Sequence, residues 1–199
     1  MDTPQLIAIA AGLGWASGLR LYAVLFLTGL AGHFGWVSLP QGLHLLQSPP
    51  VLIASGCMLF VEFFADKIPM LDSLWDAVHT LVRIPAGAAL AASVFGWDHA
   101  TAATVAGLLG GTLAATAHVA KASTRAAVNT SPEPFSNIAL SLAGDAMVPM
   151  ALWLSWSHPW LFLAGLLLAL VVMVLLIRSL ARFIRALWQR RRNGRPTAA

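Results

Sequence analysis

Charged side chains are scarce in this sequence. Asp, Glu, Lys and Arg make up 10% of it, where soluble domains carry about 25%. With 58% hydrophobic residues and a mean hydropathy of +0.76, that deficit excludes an ordinary water-soluble domain and points to a multi-spanning membrane protein. Cysteine is nearly absent as well. The one residue, Cys57, lies in an apolar run. This excludes a disulfide framework and a cysteine metal site, and Cys57 reads as a filler facing lipid or core. The apolar runs lack the alternation over about ten residues that marks barrel strands, and they are rich in Ala and Leu. Helices satisfy their own peptide groups inside hydrocarbon. The expected fold class is therefore all-α, a polytopic transmembrane bundle over 1–180 as one domain. The start of the chain has no positively charged region and stays apolar past Arg20. It is expected to be a retained span and not a cleaved signal. HExxH, GxSxG and a phosphate-cradling glycine loop are absent. No catalytic residue, cofactor or metal site is assigned.

The charges that are present sit unevenly. From Arg178 onward there are seven arginines and no acid; the 177 residues before carry five basic and eight acidic groups, a formal −3. Arg178, Arg182, Arg185, Gln189 and Arg192 share one helical face, and Leu180, Phe183, Ile184 and Leu187 the other. Residues 181–199 thus read as a basic amphipathic tail for an anionic cytoplasmic surface, not as a nucleic-acid patch. Apolar stretches at 99–120, 136–156 and 160–177 meet or approach the roughly 20 residues of a span. The segment 4–36 exceeds that length but carries Ser17, Gly18 and Arg20 in its middle. Two stretches, 51–65 and 84–97, fall short, reaching about 20 Å against a hydrocarbon core of about 30 Å. Short or broken segments point to a binding site of the transporter kind. Five or six spans are expected. Trp36, Trp97, Trp153, Trp156, Trp160 and Trp188 fall near their ends, as interfacial belts do.

Within 66–87, "DKIPMLDSLWDAVHTLVRIPAG", six ionisable side chains crowd together: Asp66, Lys67, Asp72, Asp76, His79 and Arg83. Pro69 and Pro85 are expected to bound a short helix over 70–83. There Asp72, Asp76, His79 and Arg83 share a stripe about 60° wide, with Leu74, Ala77, Val78 and Leu81 opposite. The stripe has too few Lys and Arg for a lipid-surface helix. It faces either water at the membrane surface or a polar cavity between helices. A metal site on Asp72, Asp76 and His79 would have too few ligands at too common a spacing.

A second group lies in 118–145. If the helix from 99 continues, His118, Lys121, Arg125 and Asn129 share a stripe about 80° wide. After the break at Pro132 and Pro134, Asn137, Ser141 and Asp145 recur every four residues, and Pro149 is expected to kink the span. A charge as deep as Asp145 costs about 2.5–3.5 kcal/mol on insertion scales. Arg125 and Lys121 are its nearest partners in sequence. Arg20 meets the same difficulty, with Glu62 or Asp66 to answer it. "ASGLR" at 16–20 and "KASTR" at 121–125, each followed by an acid and a proline, suggest a weak inverted repeat with two Arg–carboxylate centres.

The stretches "EFFADKIPMLDSLWDAVHTLVRIPAG" and "AKASTRAAVNTSPEPFSNIALSLAGD", with "SGLR" near the start, resemble a family of small bacterial integral membrane proteins catalogued as a domain of unknown function. The resemblance covers roughly residues 5–180. It implies a helical membrane protein with polar loops between spans and supplies no activity. On the residues alone, the leading expectation is a transporter or channel for a small ion, polar solute or lipid headgroup. Its binding residues would be Arg20, Glu62, Asp66, Lys67, Asp72, Asp76, His79, Arg83, Lys121, Arg125, Asn129, Asn137, Ser141 and Asp145. His79 or His118 would titrate near neutral pH. An accessory or structural subunit competes, as does a lipid-modifying enzyme. Membrane lipids and a homodimer through "GLLGG" at 107–111 are the expected partners. The inner membrane, with the C-terminus cytoplasmic, is the expected location.

Overall fold

The computed structural model describes residues 1–68, 70–129 and 135–193, and for 97, 183, 184 and 186–193 the backbone alone. Among the described residues there is helix and no strand. The α-helices are α1 (Thr3–His33), α2 (Pro49–Ala65), α3 (Leu71–Ser93), α4 (Ala100–Val128), α5 (Phe135–Ser157) and α6 (Pro159–Asn193), with short 3-10 turns at Gln41–Gln47 and Trp97–His99. The expected breaks at Pro69, Pro132 and Pro134 lie outside the described residues, as do the side chains of Trp97, Trp188 and the tail positions Phe183, Ile184, Leu187, Gln189 and Arg192.

Local chemistry sets the ends. The Asp2 carboxylate accepts from the Gln5 amide at 3.0 Å, capping α1, with proline in its first turn. Pro49 and Pro50 open α2 after Ser48, whose hydroxyl makes no cap and donates instead to the Leu45 carbonyl. The expected stop at Pro85 does not occur. α3 runs through it to Ser93, so 84–97 is no separate span and the stretch 70–83 is the first half of a longer helix. A proline removes one amide, and in an apolar surrounding no water competes for the freed carbonyl, so the helix continues. Pro149 likewise stays inside α5.

α1 is two arms, not one rod. Arg20 has φ −150° and ψ 88°, which interrupts the helix. Were α1 straight, Gln5 and His33 would lie about 42 Å apart. Instead both ends meet Trp156. Its carbonyl accepts from Gln5 Nε2 at 3.0 Å, and its Nε1 donates to the Ser38 carbonyl at 3.4 Å. The chain therefore reverses at Arg20, and both arms run along α5. α2 and α3 form a second reversal. Its turn is at 66–70, where Met70 has φ +72°. Its outer ends also meet, since Gly42, just before α2, packs on the carbonyl of Ser93 at the end of α3.

The first arm of α1 is the core. Ala8, Ile9, Leu13 and Ala16 are inaccessible, because α3, α4, α5 and α6 surround it. Its glycines permit the approach. A side chain at Gly14 would strike Gly110, and one at Gly18 would strike the Ala114 carbonyl. Gly107, Gly110 and Gly111 of "GLLGG" thus pack on α1 and α3 within one chain. Four helical segments are long and apolar enough by length and composition to cross a membrane, Thr3–His33, Ala100–Val128, Phe135–Ser157 and Pro159–Arg182, the first of them folded back at Arg20 into two arms. A fifth arises if the bent pair Gln41–Gln47 and Pro49–Ala65 counts as one. This is a membrane protein, with large apolar side chains such as Ile53, Leu81, Leu108, Leu168 and Val171 on its outside. Cys57 is exposed among them.

Candidate ion-pair site

The two stripes turn inward. Along α3, Asp72, Asp76, His79 and Arg83 are all under 7% exposed, whereas Leu74, Val78 and Leu81 are 61%, 59% and 83% exposed. The helix is polar inside and apolar outside, the pattern that lipid imposes and water does not. The stripe therefore faces neighbouring helices and not water, packed against their side chains. On α4, His118 and Arg125 are buried on the facing stripe. On α5, so are Asn137 and Ser141.

The two chain reversals bring these stripes together. Asp66, at the α2–α3 turn, lies 3.1 Å from Arg20 Nη2, 2.9 Å from Lys121 Nζ and 3.0 Å from Arg125 Nη1. Asp76 lies 2.6 Å from Arg83, 3.0 Å from Arg125 and 3.3 Å from Lys121. Asp72 Oδ2 is 3.2 Å from Arg125 Nε; that contact is an ion pair by distance but is not aligned as a hydrogen bond. Asn129 Nδ2 and the Ser73 amide donate to Asp72. Asp145 pairs with Arg20 and with Lys67, each at 2.9 Å. Ser141 accepts from Arg20 through both its hydroxyl and its carbonyl.

Five cations (Arg20, Lys67, Arg83, Lys121, Arg125) thus meet five carboxylates (Glu62, Asp66, Asp72, Asp76, Asp145). The network is formally neutral. It takes up every Lys and Arg that precedes Arg178. Two of the cations also serve the helix ends that the reversals expose. Lys121 Nζ donates to the Leu19 carbonyl at 3.0 Å, at the end of the first α1 arm. Lys67 Nζ donates to the Phe63 carbonyl at 3.2 Å, at the end of α2, and stands 3.1 Å from the centre of the Phe63 ring. A cation there offsets both orphan carbonyls and the helix dipole.

The partners differ from those expected. Glu62 does not answer Arg20; its Oε1 accepts from Arg83 Nη2 at 2.7 Å. Asp66 does. Asp145 pairs with Arg20 and Lys67, not with Arg125 or Lys121, because α5 lies against the tip of α1 while Arg125 faces α3. Asn137 is buried, yet neither its Nδ2 nor its Oδ1 has a partner, so it stands apart from the network.

Both histidines near the site are held by hydrogen bonds through both ring nitrogens. Thr80 Oγ1 donates to the Asp76 carbonyl and so accepts from His118 Nε2 at 2.7 Å. His118 Nδ1 then accepts from Arg83 at 3.4 Å. His79 Nδ1 donates to the Trp75 carbonyl at 2.8 Å, leaving Nε2 to accept from the Tyr22 hydroxyl. Tyr22, Trp75 and Thr80 are the participants that sequence patterns missed. The one signal for Tyr22 was that it is the only tyrosine, two residues beyond Arg20. Asp72, Asp76 and His79 do not converge. The two acids face cations and His79 faces Tyr22. Among the described residues no group of His, Cys, Asp and Glu is placed to hold a metal.

The arrangement divides the bundle. One end carries the 66–70 turn, Asn129 and the exit of α6 toward Arg178, with the network just inside it. The other end carries the N-terminus, residues 34–48, the Trp97–His99 turn and the α5–α6 junction. Trp36, Trp153 and Trp160 are exposed there, and Trp36, Trp153 and Trp156 line a cavity of about 810 Å³.

The profile of the family described as Domain of unknown function (DUF4126) matches residues 7–179, and the chain belongs to that family. No curated protein and no solved structure matches it.

Proposed function

We propose that this DUF4126 protein is a transport protein of the bacterial inner membrane, moving a small ion, a polar solute or a lipid headgroup past its buried ion-pair network. The single observation that carries this reading is the set of ten charges gathered at two chain reversals. Replacing a buried ion pair with apolar side chains is often neutral or stabilising, so stability alone gives little reason to keep ten. Intramembrane charges that face one another mark pathways for ions and polar solutes. The sharing supports the same reading. Asp66 and Asp76 each face three cations, so a passing proton or solute can displace one partner without leaving a carboxylate alone. The reversals at Arg20 and at 66–70 supply the interrupted helices on which such sites are commonly built.

Orientation follows from charge. Among the described residues every Lys and Arg lies toward one end of the bundle or in the last part of α6. By the positive-inside rule that end is cytoplasmic, C-terminus included, and the tryptophan end faces outward. Membrane lipids surround the bundle, and a homodimer would form through faces other than the glycines of α4. One observation favours a second reading, an accessory or structural subunit: most charged atoms of the network already have partners.

Reconstitution in liposomes separates the two. Ion flux and lipid scrambling are measured for wild type, Asp145→Asn and Arg125→Gln, with folding checked in each. Transport by wild type that is lost in folded variants is the expected result. A folded wild type that moves neither ions nor lipids overturns the proposal in favour of the accessory role.

A further inference from the structure

A cavity of about 280 Å³ lies between the Arg20 tip, α4, α5 and α6, close to the lower bound of ordinary small-molecule sites, about 300 Å³. Its floor includes Arg20, Asp66, Lys121 and Arg125. Three cations against one carboxylate leave that floor formally at +2, although the whole network is neutral. Asp145, which would lower the value, directs its two oxygens to Arg20 and Lys67, and Gly144 lines the cavity in its place. The walls are apolar: Trp15, Leu140, Met147, Val172, Met173 and Leu176. Met147, Val172 and Leu176 are also exposed on the outer surface, so the mouth opens toward hydrocarbon between α5 and α6.

Arg20 supplies the second observation. It is 1% exposed, and its ion pairs and hydrogen bonds all use Nη2. Among the described residues its Nε and Nη1 have no partner. A buried guanidinium with unmade hydrogen bonds is costly and calls for an acceptor. Space for one exists, because a methyl group added at Gly144 would meet only Arg20 Nε, at 3.6 Å.

We propose that this cavity binds an anionic amphiphile. Its phosphate or carboxylate headgroup accepts from the free N–H groups of Arg20 in the positive field of Lys121 and Arg125, and its apolar chain leaves between α5 and α6. A free inorganic anion would satisfy the donors but leave the apolar walls unused. The site rests on the transport reading for what happens after binding, and binding is tested separately.

The test uses the full chain in phosphatidylcholine nanodiscs, with a phosphatidic acid carrying a photoreactive diazirine on its acyl chain. Labelled peptides are mapped to α5 and α6. Unlabelled phosphatidic acid is expected to displace the probe at concentrations about tenfold lower than added phosphatidylcholine requires, and inorganic phosphate is expected not to displace it. Gly144→Leu, which fills the space beside Arg20, is expected to lower labelling about tenfold, and Gly144→Ala to keep it. Equal competition by phosphatidylcholine, undiminished labelling of folded Gly144→Leu, or displacement by inorganic phosphate alone overturns the amphiphile site. Competable labelling of α5 and α6 without any flux upholds this site and removes the transport reading. Flux without such labelling removes this site alone.

Discussion

The two ends of the bundle are built on opposite chemistry. The charged end gathers ten ionisable side chains, each paired with one of opposite sign, two chain reversals and a cavity bordered by three of the cations. The tryptophan end has no Lys or Arg. It carries His33, His44, His99 and His158, exposed indoles and a wide cavity. At the tryptophan end side chains meet an interface that tolerates many arrangements. At the charged end each group depends on a particular neighbour from another helix. Substitutions should therefore be felt very unequally along the same helices.

The largest effect is expected at Arg125, which faces Asp66, Asp72 and Asp76. Arg125→Gln removes the one cation that faces buried Asp72, and one of three that face each of Asp66 and Asp76, and should lower stability by about 3–5 kcal/mol. Adding Asp66→Asn should recover part of that loss. Unfolding in detergent with circular dichroism measures both, and additive losses would mean that the pair does not couple. Next comes Gly18→Leu, whose side chain meets the Ala114 carbonyl. It should lower stability by about 1–3 kcal/mol through overpacking, seen as a drop in thermal midpoint.

A smaller change of opposite sign is expected at Met70, a non-glycine residue in the left-handed region at the α2–α3 turn. Met70→Gly relieves the Cβ crowding and should raise stability by about 0.5–1 kcal/mol. The same unfolding assay should show a higher midpoint. The smallest effect belongs to the tryptophan end. Trp160→Ala, at an exposed site, should stay within about 0.5 kcal/mol of wild type and leave liposome flux unchanged. A loss there as large as at Arg125 would erase the contrast between the ends.

Much of the charged end was legible as stripes. The spacing of Asp72, Asp76, His79 and Arg83, and of His118, Lys121, Arg125 and Asn129, is a property of one helix and follows from 100° per residue. The direction the stripes face was legible only as an alternative, because a helix polar on one side suits a water surface or a buried cavity equally. The pairings were not legible. Glu62 is closer in sequence to Arg83 than to Arg20, but Asp145 is far from both of its partners, and neither separation reports which helices touch. The reversal at Arg20 was half visible. Ser17, Gly18 and Arg20 stood out in an overlong segment, but nothing local showed that its two ends return to Trp156. The stop placed at Pro85 failed because a rule drawn from water-exposed helices was applied where no water competes.

Taken alone, the sequence determined that this chain is helical and lives in a membrane. Hydrocarbon requires each peptide group to find its partner nearby, and long runs of apolar residues can do so only as helices. It also determined where charge would be found, since five cations and five acids had to be hidden from lipid somewhere. Which acid meets which cation, and that one arginine keeps two N–H groups free beside a greasy cavity, only the tertiary structure decided. Electrostatic partners are set by the distance between helices in space, and that distance depends on where the chain turns back.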